Sequence, residues 1–264
     1  MLEAYYGLNG KPFGKSLKPS ELFISKNTAE LLSRLDYMKV NRGIMLITGH
    51  PGAGKTSTLR LFLNKLPDIS FKSFYQPLSS VNVLDFYRQI NTALGGEPYH
   101  FKSRLFSSIQ NAICDMVTNS KITPVFIFDE AHLLKNEDLV ELQIISNFNM
   151  DSLDPAIFIL AGQPHLKDRL LRPVLKSFYQ RVILKFHLAP MEADEIAPFI
   201  GHNLKIRGCS KPPFSEAAIN AIFKNSGGFP RMVADLALKT MTCGMQTNAT
   251  LLTEEHVFSA AQEL

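Results

Sequence analysis

The chain has 264 residues, of which 45% are hydrophobic, and a formal net charge of +4 at pH 7. This is enough apolar material for one large domain, or for a domain with a small lid, and the mild positive charge permits an anionic partner such as nucleic acid without requiring one. No apolar run approaches membrane-spanning length and residues 1–10 lack a signal-peptide pattern, so we expect a soluble, cytoplasmic protein with no membrane partner. The three cysteines lie far apart, with neither metal-ligand spacing nor a disulfide framework.

The first part of the chain predicts a lead-in, a helix, a strand and a second helix. Residues 1–30 are rich in Pro, Gly and Lys, which is typical of an extended segment rather than a domain. Apolar residues recur at helical spacing over 28–40. Residues 44–47 (IMLI) are typical of a buried strand, and residues 57–66 of a helix that Pro67 ends.

A glycine-rich loop joins that strand to the second helix. Residues 49–56 read GHPGAGKT, which is the pattern G-x-x-x-x-G-K-T. In such a loop the glycines let backbone N–H groups face phosphate oxygens, Lys55 reaches the β- and γ-phosphates, and the Thr56 hydroxyl ligates Mg²⁺. The helix N-terminus adds its own attraction for anions. The sequence therefore predicts binding of ATP and Mg²⁺ by the loop residues Gly49, His50, Pro51, Gly52, Ala53, Gly54, Lys55, Thr56 and Ser57.

The middle of the chain alternates strand and helix patterns. Two continuous apolar runs, VFIFDEAH and AIFILAGQP, have the composition of strands in a parallel sheet covered on both faces. Further strands are predicted at 71–75 and 181–188, and helices at 83–94 and 105–116. The sequence therefore predicts the α/β class, with a doubly wound parallel sheet of five strands whose ligands lie beyond the carboxyl ends of the strands.

Beyond Met191 only helical patterns remain, which places a domain boundary near residue 190. These patterns cover residues 193–207, 215–223, 230–240 and 253–263. The predicted organisation is a lead-in segment at 1–30, a nucleotide-binding α/β domain at 31–190 and a small helical lid at 191–264.

Polar side chains end the two apolar strands. Asp129 and Glu130 follow VFIF at the end of a strand. In a chain that also has a phosphate-binding loop, acids at this position predict Asp129 as the Mg²⁺ partner and Glu130 as the base that deprotonates the attacking water. Gln163 follows the next strand, where its amide is positioned to touch the γ-phosphate or the lytic water, or else to cap the loop.

Several motifs together resemble one known family. GHPGAGKT, FIFDEAH, LAGQP and GGFPR, with YYGLNGKPF near the start and LTEEHVFSAAQEL at the end, resemble the AAA+ ATPases of the ExeA (general secretion pathway A) type over essentially the whole chain. The resemblance implies a five-stranded αβα domain with a helical lid and nucleotide bound between subunits. The implied working form is a homo-oligomer, either a hexameric or heptameric ring or a helical filament.

The resemblance also implies roles for three further side chains. Gln163 matches sensor 1, and Arg231 of GGFPR matches sensor 2, the lid arginine that contacts the γ-phosphate. Arg181 matches the arginine finger supplied to the site of a neighbouring subunit, with Arg172 as its rival, although both lie in a basic stretch that a solvated surface also explains.

Two branches of this family suggest different functions. ExeA-type secretion proteins continue into a transmembrane segment that this sequence does not show, whereas stand-alone transposition ATPases of the TnsC, TniB and IstB kind are similar to it in architecture and length. That similarity implies an ATP-dependent regulator of DNA transposition that oligomerises on double-stranded DNA and recruits or activates a transposase. A cytoplasmic ATPase serving a secretion or envelope complex is the alternative, and a switch that binds ATP but hardly hydrolyses it is a third.

The segment EPYHFKSR contains the candidate DNA contacts. In the transposition relatives, the helices between the loop helix and the acidic motif face the central channel, and here that region supplies Lys102, Ser103 and Arg104. Their ammonium, hydroxyl and guanidinium groups suit phosphate contacts, although an ordinary basic turn explains them equally well. The letters DEAH do not indicate a helicase of that name, because such a helicase needs two RecA-like domains. Pro12 and Phe13 are candidates for covering the adenine base, or belong to a fluctuating lead-in.

Overall fold

The computed structural model describes residues 2–14, 17–77, 82–209 and 211–262. The chain divides into two compact units. The α/β unit comprises Leu31–His50 and Thr58–Leu188, and the helical unit comprises Met1–Glu30, Pro51–Ser57 and Ala189–Leu264.

The α/β unit is built on a five-stranded sheet in which every strand pair is parallel. The order across the sheet is β2-β3-β4-β1-β5, so β2 and β5 form the edges and β3, β4 and β1 lie inside. The strands are β1 (Gly43–Thr48), β2 (Phe71–Pro77), β3 (Thr123–Asp129), β4 (Ile157–Gly162) and β5 (Val182–His187).

The inner strands are apolar because both faces of the sheet are covered. Every residue of β1, β3 and β4 is buried. Phe74, Phe126 and Phe158 stack across β2, β3 and β4 with ring centroids 5.1 and 5.2 Å apart. Such pairs add about 0.5–1.5 kcal/mol each beyond their burial. The predicted α/β class with a five-stranded parallel sheet is therefore confirmed.

The α-helices among the described residues follow in chain order. They are α1 (Leu2–Tyr5), α2 (Lys26–Asn41), α3 (Lys55–Asn64), α4 (Val83–Ala93), α5 (Lys102–Thr118), α6 (Asn136–Ile145), α7 (His165–Leu170), α8 (Lys176–Arg181), α9 (Ala193–Lys205), α10 (Glu216–Ser226), α11 (Pro230–Gln246) and α12 (Glu254–Ala261). No helix of the described part of the chain is both long and apolar enough to cross a bilayer.

Two of the boundaries that differ from the sequence prediction involve candidate site residues. The basic segment predicted to lie between helices is instead the first turn of α5, because Phe101 adopts an extended backbone and Lys102 starts the helix. Arg181, predicted to open the last strand, closes α8, so β5 begins at Val182. Glu263, where the last predicted helix ended, lies outside the described residues.

The helical unit has a core of its own. Ile196 and Ile200 of α9 and Val233 of α11 are buried there together with residues of α10 and α12. Leu8 and Leu17 of the predicted lead-in are also buried, with exposures of 8% and 6%, and Phe13 stacks on Phe199 with ring centroids 6.5 Å apart. The first residues of the chain are therefore folded onto these helices rather than extended.

Candidate nucleotide site

The phosphate-binding loop (residues 49–56) needs glycine at two positions. Gly52 and Gly54 have φ of +79° and +103°, a backbone region that side-chain-bearing residues rarely adopt. The loop runs into the first turn of α3, where the Lys55 side chain is buried, while Thr56 is exposed. Ala53 is buried, Ser57 is half-buried, and His50 and Pro51 are exposed.

Arg231 lies against this loop within the helical unit. It is in the first turn of α11, and its backbone N–H donates to the Gly52 carbonyl at 3.4 Å. A Cβ atom placed on Gly52 would lie only 2.9 Å from the Cβ of Arg231. Glycine is therefore required at position 52 for a second reason, because α11 approaches the loop closely. The Arg231 backbone makes this contact, while the Arg231 side chain is exposed.

The acidic pair lies at the carboxyl end of β3 in the α/β unit. Asp129 is 5% exposed, and its Oδ1 accepts the Glu130 backbone N–H at 2.9 Å. Glu130 is exposed and has a left-handed backbone with φ 53° and ψ 33°. A buried carboxylate that ends a strand beside an exposed one is the arrangement expected of a cation ligand with a neighbouring base.

Gln163 follows β4, the strand next to β3, and is half-buried. The backbone N–H of Gly49 donates to the carbonyl of Gly162 at 3.1 Å, which places the start of the phosphate-binding loop beside the end of β4. Gln163, Asp129 and Glu130 therefore lie at the same edge of the sheet.

Tyr75 is a member of this strand-end group that the sequence did not single out. It lies on β2, and its phenol donates to Asp129 Oδ2 at 3.5 Å. Burial, and secondarily the charge of Asp129, raises the pKa of Tyr75, so the phenol stays a neutral donor at physiological pH. The only sequence signal was a tyrosine near the end of a predicted strand, which does not reveal its partner.

His132 and Arg169 are two further residues near Glu130 that the sequence analysis did not identify as candidate site residues. The His132 ring lies 3.4 Å from Glu130 through Nδ1 and Oε2, and Arg169 of α7 donates to the backbone carbonyl of His132 at 2.8 Å. His132 stands in the quoted FIFDEAH motif and so had a signal, whereas Arg169 looked like one more cation of a basic stretch.

The two arginine-finger candidates have different surroundings. Arg181 forms an ion pair with Asp151 and donates to the Gln143 carbonyl at 2.9 Å, and its side chain is only 18% exposed. Burial lowers the pKa of Arg181. Arg172 is exposed at the start of a short 3-10 turn, Pro173–Leu175. Arg181 is therefore bound within its own chain.

The candidate DNA contacts lie on the first turn of α5. Lys102 forms an ion pair with Glu141 at 2.5 Å and lies over the Tyr87 ring at 5.5 Å. Ser103 and Arg104 are exposed, as is Phe101 just before them, at 73%. Part of the positive charge of Lys102 is thus compensated, and Arg104 is the more accessible cation.

The donor groups suit a nucleotide and a magnesium ion. Left-handed glycines, a helix N-terminus and a buried lysine ammonium are what a triphosphate requires. The Thr56 hydroxyl in one unit and the Asp129 carboxylate in the other are each the kind of oxygen donor that Mg²⁺ prefers, and their predicted roles as magnesium ligands stay predictions.

Fold and loop together define the class of protein. A parallel sheet of order β2-β3-β4-β1-β5, with the loop GHPGAGKT after β1 and acids after β3, is that of an AAA+ P-loop ATPase. A comparison with protein-family models matches residues 38–170, half of the chain, to the family described as AAA domain. The chain belongs to this AAA domain family.

Curated relatives are similar over much of this chain. General secretion pathway protein A of Aeromonas hydrophila is 28% identical over 240 residues, which are 88% of this chain and 43% of that protein. An uncharacterized HTH-type transcriptional regulator, MJ0774 of Methanocaldococcus jannaschii, is 25% identical over 202 residues, which are 74% of this chain and 48% of that protein. The chain thus spans less than half the length of these relatives.

Solved structures share the fold. Cdc6p from Pyrobaculum aerophilum superposes with a TM-score of 0.69 at 18% identity, over 95% of this chain and 70% of that one. Drosophila ORC bound to DNA superposes with a TM-score of 0.69 at 17% identity, over 99% of this chain and 65% of that one. The Thermotoga maritima RuvB Holliday junction branch migration motor superposes with a TM-score of 0.53 at 20% identity, over 92% of this chain and 70% of that one.

Proposed function

We propose that this AAA+ ATPase binds and hydrolyses ATP to control its own assembly on double-stranded DNA, and that it thereby recruits or activates a transposase. The observation that carries the proposal is the contact between Arg231 and Gly52, at 3.4 Å from N–H to carbonyl. Because the phosphate-binding loop and the start of α11 are in contact, the gain or loss of a γ-phosphate at the loop would change the position of α11 and of the helix that follows it. Nucleotide state is then converted into the conformation of the helical unit.

The hydrolytic roles follow from charge and exposure. Glu130 is the general base, since an exposed carboxylate at a strand end can reach a water, while buried Asp129 faces the cation. Gln163 orients the water, Lys55 neutralises the β- and γ-phosphates, and Arg231 contacts the γ-phosphate from α11. Thr56 and Asp129 would hold Mg²⁺, which would neutralise charge on the phosphoryl group.

Arg172 is the better candidate for the arginine finger, the arginine that one subunit supplies to the nucleotide site of its neighbour. Sequence similarity favoured Arg181, but Arg181 would first have to give up Asp151 and the Gln143 carbonyl. Arg172 is exposed and would have no such bonds to break. An arginine supplied in trans makes hydrolysis depend on assembly, which is the behaviour proposed here.

Duplex DNA as the partner is supported by surface chemistry and by relatives. Arg104 and Ser103 are exposed beside the exposed ring of Phe101, and cationic and hydroxyl groups bind phosphates without reading sequence. Among the proteins of the same fold, Drosophila ORC is bound to DNA and RuvB is a Holliday junction motor. The transposase partner rests on the motif resemblance to stand-alone transposition ATPases.

A secretion or envelope role is the second candidate. It is favoured by the 28% identity to General secretion pathway protein A, which covers 88% of this chain. In that case the oligomer would act on a protein complex, and DNA would have no effect on its assembly.

Electron microscopy of the purified protein with duplex DNA tests the proposal. With a non-hydrolysable ATP analogue we expect rings or filaments that enclose the DNA, and without nucleotide we expect none. Lys55→Ala, which removes the buried loop cation, is the matched control and should fail to assemble in either condition. Rings that form with nucleotide but ignore DNA would favour the secretion role.

A Glu130→Gln variant tests whether hydrolysis or binding alone controls assembly. We expect ATP turnover to fall by about 10²–10⁴-fold while ATP-loaded oligomers accumulate, since the base is lost but the loop remains. Glu137→Gln, an exposed glutamate at the start of α6, is the control and should hydrolyse ATP like the wild type. Equal turnover in the Glu130→Gln variant and the wild type would refute the base assignment.

A further inference from the structure

The turn after Glu130 is held by the segment that follows Gln163. Arg169 of α7 donates from Nη1 to the His132 carbonyl at 2.8 Å and from Nη2 to the Leu134 carbonyl at 2.5 Å. One guanidinium group therefore bridges two carbonyls of the turn. Because the guanidinium fork is planar and rigid, the two bonds fix the direction of both carbonyls.

Two further contacts join the same segments. A Cβ atom on Gly162 would lie 3.2 Å from the backbone nitrogen of His132, so the absence of a side chain there lets the turn lie close to the end of β4. The rings of His132 and His165 meet edge to face, with centroids 5.0 Å apart. Backbone, ring and guanidinium contacts thus make the two segments a single packed body.

Glu130 needs such support. Its left-handed backbone, with φ 53° and ψ 33°, is unfavourable for a residue with a long side chain and persists only where the surroundings enforce it. The Leu133 N–H donates to the Glu130 carbonyl at 2.8 Å and closes the turn from inside. The Arg169 bonds close it from outside, on the carbonyls of His132 and Leu134.

The side chain of Glu130 depends on the same turn. Its Oε2 lies 3.4 Å from Nδ1 of His132, whose own carbonyl is one of the two that Arg169 holds. A shift of the turn would therefore move the carboxylate and its histidine neighbour together.

We propose that Arg169 is the positioning residue for Glu130: it locks the left-handed turn to the segment after β4, so that the base and Gln163 keep a fixed relation to one another. This inference rests on the proposed function, because it gives Glu130 its role in hydrolysis. Burial, and secondarily the charge of Arg172, lowers the pKa of Arg169, so keeping a cation here is unfavourable in itself. An apolar residue of the same length would pack without that penalty but could not hold the carbonyls.

The first experiment compares steady-state ATP hydrolysis by Arg169→Gln with that by wild type, at saturating ATP. We expect kcat to fall roughly 10–100-fold, as for a reacting group misplaced by about an ångström. The Kd for a fluorescent ATP analogue should stay within about threefold, because the phosphate-binding loop is unchanged. Lys167→Gln, an exposed cation of the same helix, is the matched control and should leave both quantities unchanged. Arg169→Lys, which keeps the charge but has a single donor nitrogen instead of the planar fork, should recover part of kcat.

A double-mutant cycle separates positioning from a general structural effect. If Arg169 acts through Glu130, Arg169→Gln should lower kcat in the wild-type background but not in the Glu130→Gln background. A purely structural role would lower the residual rate equally in both backgrounds and would overturn the proposal. If the Arg169 variant is only partly folded, partial unfolding lowers the rate by the same factor in both backgrounds, so any additional loss in the wild-type background still measures positioning.

The outcomes distinguish this inference from the proposed function. A wild-type protein that does not hydrolyse ATP, or a Glu130→Gln variant as active as wild type, would refute the proposed function. If the wild type hydrolyses ATP and Glu130→Gln does not, but Arg169→Gln matches the wild type, only the role of Arg169 is refuted.

Discussion

The backbone of Arg231 rests on the carbonyl of Gly52, and a Cβ atom on that glycine would lie 2.9 Å from the Cβ of the arginine. Position 52 therefore meets two constraints at once, a φ of +79° and the approach of α11. At Gly54, whose φ is +103°, no atom of the described residues other than its chain neighbours lies within 4 Å of such a Cβ. The two glycines allow backbone strain to be separated from steric conflict.

Gly52→Ala should weaken ATP binding more than Gly54→Ala, because both strain the loop but only the first also pushes α11 away. We expect a difference of about tenfold in the Kd of a fluorescent ATP analogue, which corresponds to roughly 1.4 kcal/mol. Because Arg231→Gly and Arg231→Ala both lose the proposed γ-phosphate contact, the two backgrounds isolate the Cβ: Gly52→Ala should raise the Kd less in the Arg231→Gly background than in the Arg231→Ala background, which keeps the Cβ. Equal Kd values for the two glycine variants would show that the contact with Arg231 has no effect.

Arg181→Ala should destabilise the protein. It leaves the Gln143 carbonyl without this donor and removes the ion pair with Asp151, so we expect the free energy of unfolding to fall by about 1–3 kcal/mol in urea titrations. Arg172→Ala, at an exposed position, should change it by less than about 0.5 kcal/mol.

The same two variants identify the arginine supplied in trans. Arg172→Ala subunits mixed with Glu130→Gln subunits, which lack the base, should hydrolyse ATP at sites where a wild-type-like base meets an intact Arg172 from the neighbour. Arg172→Ala alone should therefore be inactive and the mixture partly active. Full activity of Arg172→Ala alone would return the role to Arg181.

Arg104→Ala should weaken binding to duplex DNA uniformly across sequences, because an exposed guanidinium on the first turn of α5 is suited to phosphate rather than to base edges. The slope of log K against log salt concentration should fall by about 1 in fluorescence anisotropy titrations. Lys65→Ala, another exposed cation of the α/β unit, serves as the control. An unchanged slope for Arg104→Ala would remove this helix from the DNA-binding surface.

The helical unit should lose stability in alkali. The Tyr6 phenol donates to the Met241 carbonyl at 2.9 Å, and burial raises its pKa to about 12 from an ordinary value of 10.0. Since the folded state holds this proton more tightly than the unfolded state, the contribution is complete below pH 10.0 and is lost as pH rises towards about 12.

Tyr6→Phe tests this pH dependence. It should lower stability by about 1 kcal/mol at neutral pH and flatten the decline between pH 10 and 12 in thermal melts, relative to the wild type. Tyr5→Phe, on the adjacent and more exposed tyrosine, should leave that decline in place. An identical decline in the Tyr6 variant would mean that other groups cause it.

The sequence was sufficient to predict those elements whose signal lies in one short stretch of the chain. The strands β1, β3 and β4 are continuous apolar runs, and GHPGAGKT fixes the loop by its spacing alone. The order of the strands and the contacts of Tyr75 and Arg169 depend on packing between segments far apart in the chain. No local pattern carries that information.

Charged residues were the hardest to interpret from sequence. Arg181 and Lys102 looked like accessible cations because their partners, Asp151 and Glu141, come from other elements. Arg169 looked equally unremarkable, although it bridges two backbone carbonyls. A cation that is bound within the chain and one that is available to a ligand have the same letter in the sequence.

The left-handed conformation of Glu130 sets the catalytic role that we propose for it against thermostability. An L-residue there sacrifices about 1–2 kcal/mol that glycine would not. Glu130→Gly should therefore raise the melting temperature while abolishing ATP turnover. Laboratory evolution that selects only for heat resistance would tend to discard the proposed base at this position, so any thermostabilising screen of this protein needs a concurrent activity assay.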